Sequence, residues 1–280
     1  MVDIIHRPRI LASLHVLGGL WRQHPRYAGC LAHWPMVDNG GTTVYDIAGG
    51  GNYNGTLTNM DPTNDWVTTP ERLGLDFDGT NDYVTYGDVL STTSRTYSCW
   101  IKTPDPNSTS PDLHGCMMSK WQAGGTQAIL WFQTADNLAW GDTVSARLLW
   151  AGGATAASDN AWHHVCATRD GTNGAIYFDG ASKATGTGFV DQSSSVAFFV
   201  GAYNPVAPTG RFPGIIADVR VYDRALTAAE AYSLYDEPWL EFTWAAELLM
   251  STPGPEAAAV ASSGWGPLVA LRRNRLIGGI

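Results

Sequence analysis

Trp162-His163-His164-Val165 sets two imidazoles side by side, the arrangement in this chain that most invites a metal or acid–base reading. Strand-forming residues run from Trp162 to Thr168 and again from Ala175 to Phe178, separated by the turn cluster Arg169-Asp170-Gly171-Thr172-Asn173-Gly174. That pattern is a β-hairpin, and Asp179-Gly180 marks another turn, so a third strand is expected after it. Neighbours on a strand point to opposite faces, so His163 and His164 cannot share one ion without distortion. His33 has no partner at ligand spacing and is expected to be structural. The four cysteines, Cys30, Cys99, Cys116 and Cys166, show no CxxC or metal-ligand spacing. Cys99 and Cys166 lie in apolar runs and read as buried thiols, with one or two disulfides as the alternative.

Carboxylates are the next chemistry to consider. Glycoside hydrolysis requires two carboxyl groups facing each other across the scissile bond. Residues 29–229 hold one glutamate, Glu71, and the alternation Asp76-Phe77-Asp78 runs straight into a turn. No Gly-x-Ser-x-Gly elbow and no Cys–His pair at recognisable spacing occurs, so the chain is not expected to be an enzyme. Asp46 precedes the cluster Gly49-Gly50-Gly51-Asn52. No strand-to-helix pattern surrounds that cluster and no lysine follows, which excludes a phosphate loop. It reads as a tight surface loop with acid and amide oxygens close by. A sugar's C–H face packs on an aromatic plane, and Trp121, Trp140, Trp150 and Tyr203 are the candidate platforms among 12 Trp and 11 Tyr, many of which must be core.

The elements that would position these groups are short strands. Hydrophobic residues make up 44% of the 280, enough for a sizeable core, while charged residues are only 15% and glycines number 31. That is turn chemistry, and it favours many strands over long helices. Strands are expected at 30–36, 73–79, 82–86, 95–102, 116–121, 128–133, 137–140, 147–151, 196–201 and 214–222, beside the hairpin. One helix signal stands out: Thr227 and Glu230 form a capping box ahead of Ala231–Tyr235. A dozen strands and one helix imply an all-β fold, a two-sheet antiparallel jelly-roll sandwich with one short C-terminal helix. Residues 1–28 and 237–280 fall outside it as N- and C-terminal arms around the body at 29–236.

Net charge is −9, unevenly spread: +3 on residues 1–28, +2 on 251–280 and −14 on 29–250. An acidic body argues against nucleic-acid binding, and the basic arms read either as docking on a neighbouring copy or as ordinary solvated termini. No run reaches the ~18–20 apolar residues of a membrane span. The apolar stretch Ile10–Leu20 precedes Tyr27-Ala28-Gly29-Cys30, but Arg22, His24, Pro25 and Arg26 interrupt it, so it reads as an arm and not a signal peptide.

Five segments in order carry a resemblance. They are Leu31–Met36 with Thr43–Asp46, the Gly51–Leu57 loop, Leu75–Val84, Trp162–Val165 leading to Ile176–Gly180, and Phe212–Thr227. Together the body resembles the laminin-G-like jelly-roll family of the concanavalin A-like lectin/glucanase superfamily. Tyr235-Asp236-Glu237-Pro238-Trp239 is similar to the start of tails on phage-encoded members. The resemblance implies a calcium ion between the first loop and the strand before the short helix. Asp46, Asn52 and Asp218 would be its ligands, since calcium takes roughly six to eight oxygens from carboxylates, amides and carbonyls. Here Ile216-Ala217 precedes Asp218 where the family usually carries an acidic pair, which weakens that implication.

Two functions are therefore expected. One is a structural or adhesion protein of an assembled particle such as a phage virion, whose arms bind neighbouring copies or other particle proteins. The other is a soluble or extracellular calcium-dependent carbohydrate-binding module that meets surface glycans.

Overall fold

The computed structural model describes residues 20–89, 93–105, 115–120, 128–133, 137–141, 147–189, 196–203, 210–242 and 245. Sixteen strands are described, in two antiparallel sheets of eight. The first sheet runs β14 (Ala181–Thr187), β13 (Asn173–Phe178), β12 (Trp162–Asp170), β7 (Arg95–Lys102), β16 (Pro213–Tyr222), β5 (Leu73–Asp78) and β4 (Trp66–Thr68), with β1 (Cys30–Trp34) also on β16. The second runs β11 (Arg147–Ala151), β10 (Asn137–Gly141), β9 (Ala128–Gln133), β8 (Cys116–Lys120), β15 (Phe198–Val200), β6 (Tyr83–Tyr86), β3 (Gly55–Thr58) and β2 (Thr43–Val44). This is the sandwich the alternating patterns predict. A one-turn helix, α1 (Gly153–Ala157), and the capped helix α2 (Ala228–Asp236) complete it.

Alternation decides which side chains meet between the sheets. On β7, Tyr97, Cys99 and Ile101 point inward, and on β9 Ala128, Leu130 and Phe132 do so. They join Val165 and Ala167 of β12, Val219 and Val221 of β16, and Trp140 of β10 in one continuous core. Period two leaves Ile129 and Trp131 on the other face of β9. All four cysteines are free thiols, and burial pushes those of Cys99, Cys116 and Cys166 well above the ordinary thiol range.

The expected hairpin forms, its ladder closing at Asp170 opposite Asn173 around Gly171-Thr172, and β14 follows as the third strand. Several elements differ from the sequence reading, which expected one helix and did not include α1. Gly55–Thr58 is a strand and not loop, because Leu57 buries inward while Gly55 abuts Tyr86, where a β-carbon would collide. The first strand stops at Trp34, since Met36 takes a left-handed φ of 56°. Trp66–Thr68 adds an edge strand too short to show a period.

The described residues divide into two compact units, one within 29–236 and one formed by 20–28 with the described part of 237–245. In the second unit the described parts of the two arms bind each other. Arg26, 7% exposed, gives one guanidinium nitrogen to Glu241 Oε2 at 3.0 Å and to the Glu237 carbonyl at 2.5 Å. The Trp21 and Phe242 rings lie 5.8 Å apart.

Candidate functional site

Asp46, Asn52 and Asp218 are best described from His33. β16 pairs with β5 at residues 213–216 and with β1 at residues 219–222. The change of partner requires a break in register, and Asp218 supplies it with a left-handed φ of 49° between Ala217 and Arg220. That bulge turns its carboxylate onto β1: Oδ1 lies 2.6 Å from His33 Nε2 and 3.1 Å from Arg220 Nε. Burial alone would raise the Asp218 pKa, but Arg220 and His33 outweigh it and hold the carboxyl well below its usual range. The backbone N–H of His33 donates to Asp46 Oδ1 at 3.1 Å, so one histidine links both acids.

Asp46 is 4% exposed and fully engaged by the turn it begins. Oδ1 also accepts from Ala48 and Gly49, and Oδ2 from Gly49 at 3.0 Å. A β-carbon at Gly49 would collide with Oδ2, which explains the glycine there. The side-chain amide oxygen that meets Asp46 in this loop belongs to Asn54, which accepts the Asp46 N–H at 2.9 Å. Sequence reasoning missed Asn54, although an Asn eight residues after Asp46 was in plain sight. The donor set does not fit a calcium ion. Asp218 is occupied by two cationic or donor side chains, and Asp46 by three backbone N–H groups. Among the described residues no group of three or more His, Cys, Asp or Glu side chains is placed to hold a metal ion.

The histidine pair divides as strand geometry requires. His163 lies between Asp179 Oδ2, 2.8 Å from Nδ1, and Asp159 Oδ1, 3.0 Å from Nε2, and stacks on Phe178. Burial lowers its pKa, but hydrogen bonds to Asp179 and Asp159 prevail and raise it above the ordinary value. His164, on the opposite face and 1% exposed, contacts Ser98 Oγ at 2.8 Å. Burial pushes its pKa down to about 3, so it is a neutral ring.

The carboxylates near β5 serve a turn. Asp78 Oδ1 accepts from Thr80 and Asn81, and Asp82 Oδ2 accepts from Asp78, while burial raises Asp82 to about 6.

Of the aromatic platforms, Trp121 lies outside the described residues. Trp140 is a correction. It is fully buried between the sheets, its indole N–H donating to the Thr168 carbonyl at 3.1 Å and its ring 5.0 Å from Tyr97, so it offers no face to a ligand. Trp150 is half-buried, packed on Phe178 at 5.0 Å with the Lys183 ammonium 5.2 Å from its ring. Tyr203 is half-buried on the outer face of the second sheet, against Cys116, Ile129, Trp131 and Ala139. There Cys116, Trp131, Ala139 and Leu149 stand side by side across β8, β9, β10 and β11. Leu149 is 40% exposed, and the Trp131 Nε1–H meets no acceptor among the described residues. The signal for Trp131 was the alternation along β9, which sends it away from Leu130 and Phe132.

No curated protein matches this chain. Among solved structures, domain 4 of AbnA, a GH43 extracellular arabinanase from Geobacillus stearothermophilus in complex with arabinotriose, superposes with TM-score 0.56 at 20% identity, covering 74% of this chain and 98% of that one. Trypanosoma rangeli sialidase matches with TM-score 0.54 at 16% identity over 76% of this chain, which spans only 33% of the sialidase. The binding domain of botulinum neurotoxin serotype D gives 0.56 at 15% identity, over 76% and 51%. At these identities the likeness shows the fold alone. A family model for laminin-G-type domains matches residues 78–231, more than half of the sequence, and the chain belongs to the concanavalin A-like lectin/glucanases superfamily.

Proposed function

We propose that residues 29–236 form a non-hydrolytic carbohydrate-binding module, carried by a chain whose arms attach it to neighbouring copies or to other proteins of a particle such as a virion. The observation that carries the glycan reading is the outer face of the second sheet. Half-buried Tyr203 and Leu149, which is 40% exposed, are its accessible apolar groups, beside Cys116, Trp131 and Ala139, which are buried. The match to nearly all of an arabinanase domain solved with an arabinotriose supports the same reading. Asp78 and Asp82 accept hydrogen bonds from the backbone of the turn after β5, a structural use that favours binding over hydrolysis. Calcium has no part in this reading.

A glycan array probed with the full chain tests it. Binding to a defined set of neutral or acidic oligosaccharides that falls at least tenfold in Tyr203→Ala is the expected result. Absence of any glycan signal sinks the module, and release of reducing ends from a bound glycan sinks its non-hydrolytic character.

The attachment reading rests on a separate observation. The described parts of the arms, distant in sequence, are joined by the buried Arg26–Glu241 pair in a unit of their own.

A further inference from the structure

The outer face of the first sheet carries a groove beside α2. Period two puts Thr96 of β7, Thr168 of β12 and Ala175 of β13 on the face away from the core, in a cross-strand row that ends at Thr185 of β14. Two residues along each strand, Asp170, Asn173 and Thr187 form the next row. Ala231 of α2 packs with Cys166, Ala175 and Tyr177. Past that contact the side chains are short, and a groove of about 400 Å³ is left along β12, β13 and β14, with Ala225 at its border. That volume lies within the roughly 300–1,000 Å³ of small-molecule sites.

Hydrogen bonds fix the groups around the groove. Buried Thr96 accepts the Leu226 N–H at 2.9 Å and donates its hydroxyl to the Arg224 carbonyl at 2.7 Å, which brackets Ala225 over the sheet. In the second row Ser94 Oγ donates to Asp170 Oδ1 at 2.8 Å, orienting the carboxylate and leaving Oδ2 to a ligand. Asn173, Thr185 and Thr187 are exposed and bring an amide and two hydroxyls to the rim. The floor is largely methyl and Cα surface, and among the described residues that line the groove Asp170 carries the one charge. A lone acid turns anions away. Carboxylate, amide and hydroxyls together offer acceptors and donors to a ligand that has both. A sugar ring has the matching division, a C–H face and a rim of hydroxyls.

The geometry points to a second saccharide site in this groove, for one neutral sugar ring whose C–H face lies against Ala175 and Ala225 and whose hydroxyls meet Asp170, Asn173 and Thr185. The site uses none of the groups on the other sheet. The two sheets present their outer faces in opposite directions, so a module holding a sugar on each bridges two glycan strands and gains avidity from doing so. That bridging rests on the proposed platform at Tyr203, whereas the groove itself does not.

The test is amide NMR of the isotope-labelled full chain, titrated with the methyl glycosides of glucose, galactose, mannose, xylose and arabinose, and separately with ethanolamine hydrochloride. At least one glycoside is expected to shift the Gly174 and Gly186 amides along a saturating curve. Asp170→Ala is expected to weaken that binding about tenfold or more, as loss of a hydrogen bond to a charged group does. Thr185→Val keeps the β-branched shape and is expected to weaken it about threefold. Absence of a saturable shift at the two glycines with every glycoside overturns the site, as does wild-type affinity in either variant. Should Asp170→Ala fail to fold, Thr185→Val decides alone. A saturable shift with ethanolamine and none with the glycosides makes the groove a cation site and overturns the neutral-sugar assignment. The Tyr203 and Leu149 amides report the other sheet in the same spectra, so failure of either face is read separately.

Discussion

His33 is held through both its backbone and its ring. Its N–H donates to Asp46 and its Nε2 meets Asp218, which also holds Arg220. The acids implied as calcium ligands are therefore structural: one closes the Ile47–Gly49 turn, the other fixes the bulge where β16 changes partner. A hard cation would have to displace these donors, at the cost of leaving Arg220 beside it. Removing calcium with EGTA and then restoring it is expected to leave the melting temperature unchanged, and a rise on restoring calcium would refute this. His163 gives a second prediction at the same scale. Its folded-state pKa lies above the ordinary 6.5, burial being outweighed by Asp179 and Asp159. The ion-pair contribution is thus fully present below pH ~6.5 and is lost as pH rises through the higher folded value. Melting followed across that range should show wild-type stability declining with pH, and the His163→Gln profile should be flatter. Parallel profiles would remove the ion pair from the account.

Among the elements, α2 shows how local chemistry fixes a boundary. Thr227 Oγ1 accepts the Glu230 N–H at 3.3 Å and Glu230 Oε2 accepts the Thr227 N–H at 2.8 Å. Arg224 adds two contacts at 2.6 and 3.0 Å, and its hydrogen bonds lower the Glu230 pKa to about 2. Loss of such a cap costs about 0.5–2 kcal/mol, so Thr227→Ala should lower the denaturation midpoint by that much with an unchanged slope. No measurable shift would mean that packing of Ala231 and Leu234 alone holds the helix. This cap and the Trp162–Phe178 hairpin were legible because each is specified within a few residues. The role of Asp218 was not, since its φ depends on β16 exchanging β5 for β1, a pairing between segments far apart in sequence. Trp140 illustrates the same limit. Its type suits a sugar platform as well as a core, and only its register opposite Leu130 sends it inward. The sandwich could be read from patterning, while the candidate site depended on which face each aromatic took.

For the whole molecule, charge and composition separate two tasks. The acidic 29–250 stretch contains the sandwich, while +3 and +2 balances lie in the two terminal stretches. Arg26 and Glu241 make a buried pair at 5% and 0% side-chain exposure, so the described arms are packed and not merely solvated tails. Breaking a buried pair by deleting one partner costs about 3–5 kcal/mol, because the other charge is left without its mate. If the arms attach the chain to its neighbours, that loss falls on assembly and not on the sandwich. Light scattering coupled to size-exclusion chromatography should give the full chain a mass well above the monomer's 30.1 kDa. Arg26→Ala should shift it toward monomer while the β-sheet circular dichroism and the main melting transition stay in place. A wild type that runs as a monomer at all concentrations removes self-association. An Arg26→Ala chain that stays assembled places the contacts elsewhere than in the arms.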